Sequence, residues 1–213
     1  MTNPLKAKYL VLLAALACGG KKSDKTPTPE PTAPLPTAGL AGQRVALTPL
    51  SLVAAEDTLH LDVIIGDRRT TLDKCDSIIA TLLTARAPEV TWVAPAELRH
   101  VARRAPGIAA DPDQMGTPFL RAANIVDVPD PLRYQLRTLM GLVGGRYALV
   151  PAGLVFRRTV GRSDGRGATA EVSFVLIDSR VGRIGWRTVA RGDGDDPWTA
   201  LTRAVKSLTP GLP

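Results

Sequence analysis

From Gly19 to Gly39 the chain reads GGKKSDKTPTPEPTAPLPTAG, and this stretch decides how much of it can fold. Proline and threonine alternate, and Leu35 is the one apolar side chain of any size, so no face exists to bury. A proline-rich chain stays extended near ~3.1 Å per residue, so about 20 such residues reach ~60 Å. Folding is left to the roughly 170 residues that follow, enough for one domain with its own core. Aromatics are only 4% of the chain against 45% apolar residues. The core is therefore built mainly from Leu, Val, Ile and Ala.

Ahead of that stretch lie Lys6 and Lys8, then an apolar run from Tyr9 to Ala17. The run is too short for a hydrocarbon core, which needs about 20 residues, but it suits the apolar region of a signal peptide. It ends in Ala15-Leu16-Ala17-Cys18-Gly19. This resembles the bacterial lipobox, in which small residues precede a cysteine that receives a diacylglyceryl group and becomes the new N-terminus. The family usually has Leu where Ala15 stands. The resemblance implies cleavage before Cys18, palmitate-type lipid on that residue and a membrane anchor held by several acyl chains. By the same resemblance, Gly19 after the cysteine implies the outer membrane. The expected organisation is a signal peptide over 1–17, a lipidated disordered tether over 18–39 and a single globular domain over 40–213.

Net charge is +7 for the whole chain. It falls by two, to +5, once Lys6 and Lys8 leave with the signal peptide. Twenty of the basic residues are arginine, scattered with acids between them. Such a surface suits anionic headgroups, envelope polymers or an acidic protein. With no compact basic block and no interleaved aromatics, nucleic acid is not expected as a partner.

Periodicity places the elements of the domain. Gln43–Leu50 reads as a first strand, with a further extended piece over Leu59–Ile65. Thr70 and Asp73 form a loose capping box for a helix with Leu72, Cys75, Ile79, Leu82 and Leu83 on one face. A short strand follows at Val90–Val93. Pro95 then opens a helix with Leu98, Val101 and Ala102 inward and Arg99, Arg103 and Arg104 outward. After an irregular stretch, Asp130-Pro131 reads as cap and first turn of a helix that Gly144-Gly145 stops. Three strands close the pattern, at Arg146–Phe156, Ala168–Asp178 and Arg183–Arg191, and Asp196-Pro197 caps a last helix. The order β, α, β, α, α, β, β, β, α implies an α/β (α+β) fold. It has one mixed sheet with helices packed on it and a C-terminal antiparallel meander.

This order, with particular residues in it, resembles a group of periplasmic lipoproteins. The group comprises the soluble domain of curli-secretion channel subunits, the lipoprotein activators of penicillin-binding proteins and the N-terminal domain of the Tol-system β-propeller protein. The matching segments are Arg44-Val45-Ala46-Leu47-Thr48-Pro49-Leu50, then Val90-Thr91-Trp92-Val93-Ala94-Pro95, then Gly145-Arg146-Tyr147-Ala148-Leu149-Val150. The last is the hairpin from Leu176-Ile177-Asp178-Ser179 through Gly182 to Trp186. Arg146 replaces the group's Ala-Asp at the start of the long strand, and the amphipathic membrane hairpins of the channel subunits are missing. Arg157, Arg158, Arg162 and Arg166 would be costly against lipid. The resemblance thus implies a periplasmic protein-binding role and no pore.

Catalysis finds little to stand on. Gly161-Arg162-Ser163-Asp164-Gly165 matches a nucleophile elbow, but it lacks the buried strand before and helix after that the motif needs, and reads as a hairpin tip. The two histidines, His60 and His100, read as structural and as surface. With only Cys75 beyond Cys18 they build no zinc site. Gly192-Asp193-Gly194-Asp195-Asp196 reads as a strand-to-helix turn, and a weak calcium site is its rival. Glu171 and Asp178 lie seven apart on one strand, so they face opposite ways. No cofactor and no catalytic residue are expected. The expected function is a non-enzymatic module binding an envelope protein or itself. The rivals are a module for peptidoglycan or lipopolysaccharide and a hydrolase with an unrecognised site. Period two puts Arg183, Arg187 and Arg191 on one strand face, opposite Ile184, Trp186 and Thr188, as an expected binding stripe.

Overall fold

The structure is a computed structural model describing residues 32–56, 67–159 and 167–210. Among these, the elements run α1 (Thr37–Leu40), β1 (Arg44–Leu47), β2 (Val53–Ala55), α2 (Arg68–Arg86), β3 (Thr91–Val93) and α3 (Pro95–Arg104). Two 3-10 turns, Pro112–Gln114 and Thr117–Arg121, follow. Then come α4 (Leu132–Val143), β4 (Tyr147–Arg158), β5 (Ala168–Asp178), β6 (Arg183–Gly194) and α5 (Pro197–Lys206). The fold is α/β, with one mixed sheet ordered β3-β1-β4-β5-β6. β1 is parallel to β3 and β4, and β2 is parallel to the far part of β4. β4, β5 and β6 form the antiparallel meander. The extended piece expected at Leu59–Ile65 lies outside the described residues.

Helices cover both faces. On one, Cys75, Ile79 and Leu83 of α2 and Leu201 and Val205 of α5 pack with Val45, Leu47, Phe156, Val172 and Phe174. On the other, Leu98 of α3, Leu120, and Leu136, Leu139 and Met140 of α4 pack with Ala46, Val150, Val175 and Ile177. β1 shows the reason, since Val45 and Leu47 serve one core and Ala46 the other.

Two β-bulges reset this alternation. In β4 the register shifts between Pro151 and Gly153, so Val150 and Ala152 face the second core while Leu154 and Phe156 face the first. Pro151 has no N–H to offer a ladder, and it sits where β1 has ended and β2 has not begun. In β6 the shift is at Gly185, between the pairs Leu176–Trp186 and Ile177–Ile184.

Some local readings need correcting. Residues 32–39, read as tether, belong to the folded unit: Leu35 is 5% exposed and its N–H donates to Leu208 O at 2.8 Å. A single leucine suffices because it plugs a core already built. The cap of α2 is Asp67, not Thr70, with its carboxylate accepting from Thr70 N at 3.0 Å. α4 begins at Leu132 with no side-chain cap, so Asp130 does not serve as one. Gly144, at φ 70, stops that helix in the left-handed region where glycine costs least. β6 runs through Gly194, so the turn into α5 is only Asp195-Asp196. Asp196 does cap α5, accepting from Trp198 N and Thr199 N.

Candidate functional site

Cys18, His60 and Ser163 lie outside the described residues. His100 is exposed on α3. Asp193 accepts from Thr169 Oγ1 at 2.6 Å, and its own carbonyl accepts from Arg203. Among the described residues no group of His, Cys, Asp or Glu could hold a metal ion. Glu171 pairs with Arg157 and Arg191, while Asp178 pairs with Arg146, so the two acids are separately neutralised.

The arginine stripe on β6 does not form. The bulge at Gly185 flips the alternation, and Ile184 packs on the second core while Trp186 packs on the first. Arg183 pairs across to Asp178, whereas Arg187 and Arg191 pair across to Val175 and Glu171 on the opposite parity of β5. Nor are Arg187 and Arg191 free. Arg187 donates to Ala122 O at 2.6 Å and also to Ile125 O, and Arg191 forms an ion pair with Glu171.

Arginines meet elsewhere, at the end of the sheet where α4 stops. Gly144 turns the chain and Gly145 N donates back to Met140 O at 2.9 Å, which sets Arg146 just ahead of β4. Arg44 opens the adjacent β1 and donates to Val143 O at 2.9 Å. Across β4, Ser179 N and Oγ both donate to Arg146 O, holding the β5–β6 turn and Arg180 beside it. Arg137 comes from α4, one turn before Met140 and Gly141. The result is a cleft of about 540 Å³ lined by Arg44, Arg137, Arg146 and Arg180, with glycines 141, 144 and 145 in its wall. No carboxylate lines it. Asp178 reaches it through Arg146, at 2.5 Å, and its other oxygen accepts from Arg180 N at 3.1 Å; burial pushes the Asp178 carboxyl up, but the Arg146 guanidinium and the Arg180 N–H outweigh this and hold it below the usual carboxylate range. The side chains of Arg137 and Arg180 have no partner among the described residues. No sequence period joins positions 44, 137, 146 and 180; the available signal was a basic residue beside each of two turns, Gly144-Gly145-Arg146 and Ser179-Arg180.

A second polar cluster pins α2, α3 and the loop after α3. Arg99, read as outward and solvated, has a side chain only 12% exposed. Its Nε and Nη2 donate to Asp113 and its Nη2 to Asp76 at 2.6 Å. Asp76 also accepts from Leu50 N at 2.8 Å. Burial pushes Asp76 up to about 6, against the pull of Leu50 N and Arg99. Asp113 is pushed up by burial too, yet Arg99 and Arg69 together hold it below the usual range. With every acid engaged, this is a structural pin.

No protein family and no curated protein matches the chain. Solved structures do. The LpoB C-terminal domain from Salmonella enterica matches at 12% identity and TM-score 0.39, over 73% of this chain and 84% of that one. Lipoprotein GNA1162 from Neisseria meningitidis matches at 15% identity and TM-score 0.40, over 71% and 83%. The PelC dodecamer from Paraburkholderia phytofirmans matches at 16% identity and TM-score 0.40, over 87% and 98%.

Proposed function

We propose that the chain is an envelope lipoprotein, anchored through lipid on Cys18 and facing the periplasm, whose domain binds another envelope protein and does no chemistry. The carrying observation is the edge of the sheet. β6 is a twelve-residue edge strand, Val181 and Val189 on or beside it are 57% and 40% exposed, and Val126, whose carbonyl accepts from Ile184 N, is 52% exposed. Apolar side chains along a strand edge are what a protein partner buries. The signal segment and Cys18 support the anchor.

The test is crosslinking and capture from membranes. Wild type retains a partner, Val126→Lys with Val189→Lys loses it at unchanged melting temperature, and Cys18→Ser leaves the membrane fraction. Retention of the same partner by the stable double variant would refute the edge as the site; unchanged membrane fractionation of Cys18→Ser would refute the anchor. The arginine-lined cleft favours a second reading, a module for an anionic envelope component.

A further inference from the structure

We infer that the cleft of Arg44, Arg137, Arg146 and Arg180 binds a phosphate monoester, a deduction that deepens the second reading above and rests on it. The cleft's volume of about 540 Å³ is that of a small-ligand site, for which roughly 300–1,000 Å³ is usual. Its charge is uncompensated in a specific way. Arg146 is half spent on Asp178 and Arg44 donates to Val143 O, but Arg137 and Arg180 are exposed and without side-chain partners among the described residues. Two guanidinium groups facing one cleft repel each other until an anion joins them. A single carboxylate cancels one charge, whereas a phosphate monoester carries about −1.5 to −2 at neutral pH and offers three acceptor oxygens. Guanidinium forks match those oxygens in pairs.

The walls permit the approach. A Cβ added at Gly141 would meet nothing within 4 Å, so the backbone is open to a ligand there. The last carbonyls of α4 would repel an anion. However, Val143 O is already taken by Arg44 and Met140 O by Gly145.

The experiment uses the full chain in neutral detergent and titrates glycerol phosphate against hexaglutamate, with phosphatidylcholine vesicles with and without phosphatidic acid as a second arm. Wild type should bind glycerol phosphate more tightly than hexaglutamate. Arg137→Gln with Arg180→Gln, which removes no internal bond, should weaken it about tenfold or more. Arg183→Gln, on β6, should not. Binding of the soluble ester alone assigns a free phosphorylated ligand; tighter binding only on phosphatidic acid vesicles assigns a lipid headgroup. An unchanged double variant, an equal loss in Arg183→Gln, or preference for hexaglutamate overturns the inference. No partner protein takes part, so failure to capture one leaves this result standing.

Discussion

Asp76 of α2 and Arg99 of α3 meet at 2.6 Å beneath the surface, with Asp76 only 4% exposed and its other oxygen taken by Leu50 N. The contact ties two helices from opposite faces of the sheet to the segment after β1. Arg99 reaches on to Asp113, which also holds Arg69. One guanidinium thus joins three separate parts of the chain.

Truncating one member of such a pair strands the other charge. Asp76→Ala leaves Arg99 with Asp113 and the half-exposed Asp73, and Leu50 N without an acceptor. The expected cost is about 3 kcal/mol, measured by urea unfolding at neutral pH. Asp73→Ala is the control. Asp73 lies 3.4 Å from Arg99 and is half-exposed, so its loss should cost less than about 1 kcal/mol.

The same aspartate gives the stability curve an unusual slope. Its folded value of about 6 lies above the ordinary 3.8. Between those two values the folded state keeps a proton that the unfolded state releases, so stability falls as pH rises through that window. Acidifying from pH 7 to about 4 should therefore add on the order of 2–3 kcal/mol. Asp113, Asp178 and Asp196 have the opposite sign, being held below 3.8 when folded. Their contribution is present above 3.8 and lost as pH falls through their lowered values. Melting temperature should peak near pH 4–5, and Asp76→Asn should remove the rise on the acid side. A flat curve from pH 7 to 5 in the wild type would contradict this.

What the sequence made legible is whatever depends on period and on caps. The faces of α2 and α5, the stop at Gly144, the cap at Asp196 and the alternation of β5 all follow from residues within a few positions of one another. What it hid depends on bulges and on distant pairing. Gly185 fits an ordinary strand, and nothing beside it announces the extra residue that separates Ile184 from Trp186. Arg99 has the spacing of a solvated residue; its acids come from positions 76 and 113. The cleft arginines were equally hidden, for they meet only when β1, α4, β4 and the β5–β6 turn are brought together.

The bulge makes two neighbouring arginines unequal. Arg187 donates to the carbonyls of Ala122 and Ile125, fastening the loop before α4 to the sheet edge. Charged donors of this kind contribute about 1.5–3 kcal/mol each when well made, less at an exposed site. Arg187→Ala should therefore lower stability by about 1–2 kcal/mol and increase amide exchange around Ile125. Arg183→Ala should stay within about 0.5 kcal/mol, since Arg183 is exposed. Equal effects from the two would show that the loop is not held by Arg187.

The tightest contact between helix and sheet lies at Gly192. A Cβ added there would meet Ala204 N at 2.2 Å and Ala200 O at 2.6 Å, both backbone atoms of α5. Gly194 is similar, with Ala200 N at 2.4 Å. Side-chain rotation cannot relieve a clash with helical backbone, so α5 must lift from β6 and open the contacts of Leu201 and Val205 with the first core. Overpacking of this kind costs about 1–3 kcal/mol when side chains can shift. With backbone as the obstacle, Gly192→Ala should fall at or above the upper end of that range. Gly185→Ala is the comparison, because its added Cβ meets nothing within 4 Å. The lower conformational entropy of the unfolded chain should leave it neutral or slightly stabilising, by less than about 1 kcal/mol. Chemical unfolding of the two variants separates them; a Gly192→Ala protein as stable as wild type would mean that α5 does not sit directly on β6.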